Sequence, residues 1–154
     1  MKSSLAEKYI KKIELAIEDI DNFSNISDLE KSYLAKFLVV FICGIYEEII
    51  ENVIYERIDK LKNVEVSTYI KKTVSGTFQN PNMEKIKDLL GKFNPGWKSE
   101  ISKLPIESQT AIDNIITQKN SLAHGNDVNV TLKDIKRYYK DSLSVINKID
   151  DMLL

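Results

Sequence analysis

The sequence predicts an all-α fold built on two long helices with shorter connecting helices. Three observations carry that expectation. Apolar residues recur at three- and four-residue steps along nearly the whole chain, the period of one helix face, and strict alternation is nearly absent. The 154 residues include only 5 Gly and 3 Pro, so long loops must be few. Residues able to cap a helix stand just ahead of several apolar stripes.

Taken in order, the first helix is expected over about Ser4 to Asp21, with Leu5, Tyr9, Ile13, Ala16, Ile17 and Ile20 on one face. Asn22 to Ser27 is polar and turn-like, and Ser27 or Asp28 is a good N-cap. A long second helix follows from about Asp28 to Lys62. Leu34, Leu38, Phe41, Ile45, Ile49 and Val53 form its stripe, and Val40, Ile50 and Ile54 widen it, so more than one face is covered. A helix this long and apolar reads as a central strut. A shorter helix is expected around Ser67 to Val74, though Val and Thr are poor helix formers there. Gln79-Asn80-Pro81-Asn82 reads as a loop ending in an Asn cap, followed by a helix from Met83 to Leu90 closed by Gly91. Asn94-Pro95 opens a turn containing Trp97. Pro105 precedes a helix from about Glu107 to Ala123 that ends at His124-Gly125. Thr131 caps the last helix, about Leu132 to Leu154, whose core stripe is Leu132, Ile135, Tyr139, Leu143, Ile146, Ile149 and Leu153.

Length and composition fit one domain over residues 1–154, able to bury a core without disulfide or metal. With a net charge of −1, the chain cannot hold nucleic acid by bulk electrostatics, so any such contact needs a local patch. Cys43 stands alone, which excludes an intramolecular disulfide and a cysteine metal site. A reducing, cytoplasmic setting is the simplest expectation. No membrane association is expected, because the N-terminus lacks a signal-like apolar run and the longest apolar stretch, Phe37 to Cys43, is far too short to span a bilayer.

His124 is the only histidine, placed at a helix end before a glycine suited to a left-handed cap. Lys119 and Asn120 precede it by one to one and a half turns, so the three can converge on one region. A cation, an amide and an imidazole suit phosphodiester chemistry. Imidazole moves protons near neutral pH, a cation stabilises charge developing on phosphate oxygens, and the amide can orient either. The competing reading is that His124 only complements the helix dipole or caps the helix.

Other features carry paired readings. Glu47 and Glu48 fall within the apolar rows of the second helix. An inward carboxylate there needs a partner such as Lys119, His124 or Arg57, or else both glutamates skirt the core edge. Lys133, Lys136, Arg137 and Lys140 share one side of the last helix and could hold RNA phosphates, or form an ordinary solvated face. Trp97 and Phe93 either plug the core or stack on a base. One His, no Cys cluster and no acidic pair at ligand spacing make a poor metal site, and no phosphate-binding glycine loop is present, so no metal and no cofactor are expected.

The run from Ile116 to Gly125 resembles the signature of the HEPN superfamily, in which an Arg, commonly followed by Asn, precedes a His by several residues. More of the chain resembles the RiboL-PSP-HEPN branch: Phe41 to Ile49 with paired Glu47 and Glu48, Asn80-Pro81-Asn82, Leu89 to Trp97, and Thr131-Leu132 followed by Ile135 to Tyr139. The resemblance spans roughly Leu29 to the C-terminus. It implies a HEPN-type helical bundle that dimerises, with two copies of the motif meeting across the interface. It also implies a metal-independent endoribonuclease of toxin, defence or stress systems, cleaving RNA by acid–base transesterification through the 2′-hydroxyl. On that reading His124 handles the proton, Asn120 positions His124 or phosphate, and Glu47 and Glu48 support the site. RNA, a second copy of the chain and an antitoxin or defence-system protein are the implied partners. One position departs from the pattern: Lys119 stands where the family carries Arg, and neither of the chain's arginines, Arg57 and Arg137, belongs to the motif by spacing. Lys is a flexible point charge where Arg offers a planar, bidentate fork. The alternative is therefore a catalytically degenerate HEPN protein that binds RNA or a partner protein without cleaving.

Overall fold

A computed structural model of the chain describes residues 1–126 and 128–154, with Gly76 and Thr77 described by their backbone alone. The structure is 81% helical, with seven helices and no strand among the described residues, as the periodicity requires.

Helix α1 (Ser4–Asn22) starts at Ser3, whose hydroxyl accepts the Ala6 amide at 3.2 Å. The amides of Lys2 and Ser3 both donate to the buried carboxylate of Asp150, at the far end of the chain. Helix α2 (Asp28–Asp59) opens with a capping box: the Glu30 amide donates to the Ser27 hydroxyl at 3.3 Å, and the Ser27 amide donates to the Glu30 carboxylate at 2.7 Å. Its buried residues, from Ala35 to Ile58, cover several faces, and it packs against α1, α3, α6 and α7. It is the central strut, but it ends three residues before the expected Lys62. The Leu61 and Lys62 amides turn back onto Ile58 and Asp59, and Lys62 takes a left-handed φ of 54°.

Helix α3 (Val64–Thr77) begins earlier than the expected Ser67, because the Asn63 side chain accepts the Val66 amide at 2.9 Å and sets the start. Helix α4 (Met83–Phe93) runs through Gly91 instead of stopping there. Its end is Asn94, which then accepts the Gly96 amide and starts α5 (Pro95–Ser102) with proline in the first turn. The expected turn around Trp97 is thus a short helix. Helix α6 (Ile106–Ala123) has no side-chain cap at Pro105. Its Gln109 side-chain amide instead donates to the Ser102 and Leu104 carbonyls left open at the end of α5. Helix α7 (Leu132–Leu153) opens with a second capping box between Thr131 and Asp134.

Helices α6 and α7 pack along each other and against α2, and a continuous cluster of buried aliphatic residues fills the space between them. Within it the Tyr46 and Ser142 hydroxyls share a hydrogen bond of 2.6 Å, and the Ser142 hydroxyl donates to the Tyr139 carbonyl. Phe93 and Trp97 pack against this core, with ring centroids 6.4 Å apart, so they plug it. Among the described residues no helix is long and apolar enough to cross a membrane.

Candidate active site around His124

The C-terminus of α6 has a defined cap. The Gly125 amide donates to the Leu122 carbonyl at 3.1 Å and the Asn126 amide to the Ser121 carbonyl at 3.0 Å, the paired bonds of a Schellman motif. Gly125 supplies the φ of +73° that this motif needs. His124 is the cap residue, its amide bonded to the Asn120 and Leu122 carbonyls, and its side chain is exposed. The geometry therefore combines the two readings of the sequence: His124 sits at the cap, and its imidazole is open to solvent. Asn120 lies one turn earlier on nearly the same face, partly buried.

Lys119 is turned away from that face. Five residues separate it from His124, which at about 100° per residue places it roughly 140° around the helix. Its ammonium donates to the Asn80 side-chain oxygen at 2.6 Å. Asn80 holds a left-handed φ of 52°, and its own amide donates to the Glu47 carboxylate at 2.6 Å. A polar chain thus runs from α6 through the loop before α4 to α2. The loop itself is braced: the Met83 amide donates to Asp113 on α6, and the Asn82 side chain accepts the Lys85 amide. No hydrogen bond joins the side chains of Lys119, Asn120 and His124 among the described residues.

Glu47 and Glu48 part company. Glu47 joins the Lys119 chain and accepts a weak bond from the Cys43 thiol at 3.8 Å. Glu48 faces α1, where it accepts from the Tyr9 hydroxyl at 3.3 Å, and also from Asn52. Arg57 serves neither glutamate. Its guanidinium donates to the Leu153 carbonyl at 2.7 Å and lies 5.0 Å over the Trp97 ring. Burial pushes the Cys43 thiol up to about 12, with the Glu47 carboxylate adding and the Lys119 cation opposing. Cys43 is therefore a neutral, unreactive thiol beside the site. Glu51, one turn beyond Glu47, also has a raised carboxyl pKa, first from burial and then from Glu48 and Glu47, against the Tyr55 hydrogen bond.

The basic side of α7 is partly engaged. Lys136 pairs with Asp21 on α1, and Arg137 pairs with Asp134 at 3.4 Å while lying 5.2 Å over the Tyr138 ring. Lys133 and Lys140 are exposed. Such surface pairs are weak and yield readily to a polyanion. No three His, Cys, Asp or Glu side chains among the described residues converge as a metal site would require.

Two residues that matter here escape a reading of the sequence. Asn80 is 39 positions from Lys119; its place before Pro81 and its part in the family-like Asn80-Pro81-Asn82 run marked the loop, but nothing in the sequence marked its bond to Lys119. Asp113, which fixes the start of α4, carries no local signal at all.

No curated protein and no solved structure matches the chain. The family model for RiboL-PSP-HEPN does, over residues 5–154, which takes in all seven helices but for the first residue of α1, and every residue of the site just described. The chain belongs to the RiboL-PSP-HEPN family.

Proposed function

We propose that the chain is a single HEPN-like domain acting as a metal-independent endoribonuclease of HEPN type, in a cytoplasmic toxin, defence or stress role. The observation that carries this reading is the exposed His124, fixed by the Schellman cap, with Asn120 one turn before it in the family's motif. In the reaction His124 takes the proton from the RNA 2′-hydroxyl as that oxygen attacks the adjacent phosphorus. The P–O5′ bond breaks, and the imidazolium returns a proton to the leaving oxygen. Asn120 orients the imidazole or a phosphate oxygen, and the Lys119 cation, turned away from its own chain's His124, lowers the cost of the dianionic transition state from across the paired sites of a dimer. Glu47 holds Asn80, and through it Lys119. Lys133, Lys136, Arg137 and Lys140 guide the RNA backbone. One His and one cation per chain make a sparse site, and a symmetric homodimer would double it.

A second reading has its own support: Lys119, in the place of the family's Arg, already spends a donor on Asn80. On that reading the protein binds RNA, or an antitoxin or defence-system partner, without cleavage. Single-stranded RNA incubated in chelator with wild type and His124→Ala separates the two. The ribonuclease reading expects cleavage with 2′,3′-cyclic phosphate ends from the wild type alone. Equal cleavage by both proteins, or none by either, overturns it.

A further inference from the structure

Helices α3 and α4 follow one another in the chain but pack elsewhere, α3 on α2 and α4 on α5 and α6. Between them lies an open groove of about 520 Å³, a volume within the range of small-ligand sites. Its floor is apolar: Val74 and Phe78 are buried there, with Ile70 and Leu89 half-buried beside them. Tyr69 lines the groove while remaining 72% exposed. A single exposed aromatic needs no explanation on a protein surface. This one borders an apolar slot with cations on the facing helix.

The wall from α4 carries the charge. Lys85, Asp88 and Lys92 recur at steps of three and four residues, so they share one side of the helix. Asp88 already pairs with Lys98 at 2.6 Å, and that hydrogen bond holds its carboxyl below the usual range. Lys85 spends one donor on the Gln79 carbonyl, and Lys92 makes no ion pair among the described residues. The groove thus presents two cations beside an apolar, aromatic slot, and its one carboxylate is engaged.

That combination suits an unpaired nucleotide. Every base has a flat face for an aromatic ring, and its flanking phosphates are the anions that lysines hold. A duplex cannot use the slot, because its bases are stacked inside the helix. The basic side of α7 lacks such a slot, since its Tyr138 ring already lies under Arg137.

The groove is also tied to the site around His124. Lys85 holds the Gln79 carbonyl, and the next residue, Asn80, holds the Lys119 ammonium. Lys119 and His124 are five residues apart, about 7.5 Å along α6. A strand with one phosphate at His124 therefore has neighbouring nucleotides near the loop that joins α3 to α4.

We infer that the α3–α4 groove receives one unpaired base of a single-stranded RNA, with Tyr69 stacked on the base and Lys85 and Lys92 holding the flanking phosphates. The inference rests on RNA as the ligand in the function proposed above, and it names where a nucleotide away from the cleaved bond is held.

The experiment is fluorescence anisotropy with an end-labelled single-stranded RNA of about 12 nucleotides, in chelator, on a His124→Ala background so that the strand stays intact. Tyr69→Ala should weaken binding at least about fivefold, and Tyr69→Phe, which keeps the ring, should stay within about twofold of the background. Lys92→Gln should weaken binding and lower its salt slope by about one. Tyr69→Ala should leave binding of the same sequence as a duplex unchanged, and circular dichroism should show each variant unfolding with the background. Failure of the background protein to bind the single strand overturns the inference. So does a Tyr69→Ala protein that binds it as tightly as the background, or that loses duplex binding equally. Cleavage is scored separately with His124 intact. A Tyr69→Ala binding loss with no cleavage by wild type leaves this inference standing and sinks the ribonuclease reading. Cleavage by wild type, with Tyr69→Ala binding and cutting equally well, does the reverse.

Discussion

Replacing Lys119 with Arg tests the departure from the family pattern directly. The Lys119 ammonium has three N–H donors on one nitrogen, and one of them is spent on the Asn80 side-chain oxygen. Its remaining donors cannot present a flat, parallel pair to a phosphate. A guanidinium in the same place could keep one N–H on Asn80 and offer its outer edge to two phosphate oxygens. One charge-assisted hydrogen bond gained only in the transition state is worth about 1.5–3 kcal/mol, which corresponds to roughly ten- to a hundredfold in rate. Lys119→Arg should therefore cleave single-stranded RNA faster than wild type by that factor, in chelator, with His124→Ala as the inactive reference. Asn80→Gly keeps the left-handed backbone but removes the ammonium's acceptor, so it reports whether tethering Lys119 limits the rate. The reasoning fails if Lys119→Arg is no faster than His124→Ala. The site would then not be a ribonuclease impaired at one position, and the silent binding reading would replace it.

The same geometry sets several stability outcomes. Gly125→Ala meets no steric neighbour, so its cost is the left-handed backbone alone, about 1–2 kcal/mol; thermal unfolding should fall by roughly 2–8 °C, and RNA cleavage should fall with it as His124 loses its cap. Tyr46→Phe breaks the buried 2.6 Å bond to Ser142 and should cost about 1 kcal/mol in urea unfolding. Tyr139→Phe removes a buried hydroxyl that has no partner among the described residues, so it should be neutral or stabilising in the same assay. Asp134 has a lowered pKa, chiefly from the Thr131 hydroxyl. Its contribution is present above the ordinary carboxylate range and is lost as pH falls through the depressed folded value, so Thr131→Ala should destabilise at neutral pH and converge with wild type in strong acid.

Most of the frame was legible because it rests on local chemistry. Ser27 ahead of α2, and Thr131 ahead of α7, marked helix starts that tertiary packing left in place. The misjudged ends have local causes too. Asn63 caps α3 ahead of the expected start at Ser67, and Gly91 keeps a helical φ because Asn94, three residues on, both ends α4 and begins α5. A glycine stops a helix only where the chain turns left-handed, as it does at Gly125 and not at Gly91. At the site, the stretch from Lys119 to Gly125 was readable because it is contiguous. The Lys119–Asn80–Glu47 chain was not, since it joins three elements that only the packing of α2 against α6 brings together. For the same reason the different fates of Glu47 and Glu48 could not be told from their adjacent positions.

The closure of α1 onto Asp150 constrains the order of events during synthesis. The amides of Lys2 and Ser3 have their carboxylate partner 148 and 147 residues downstream. At about 5–20 residues per second, translation delivers that partner roughly 7–30 s after Ser3 is made. Throughout that interval α1 can lean on α2 but cannot lock its first turn, so its last anchoring step waits for the final helix to emerge from the ribosome. Until then the apolar side of α1 is only loosely held, and a chaperone or an assembling partner could reach it during that window and not afterwards.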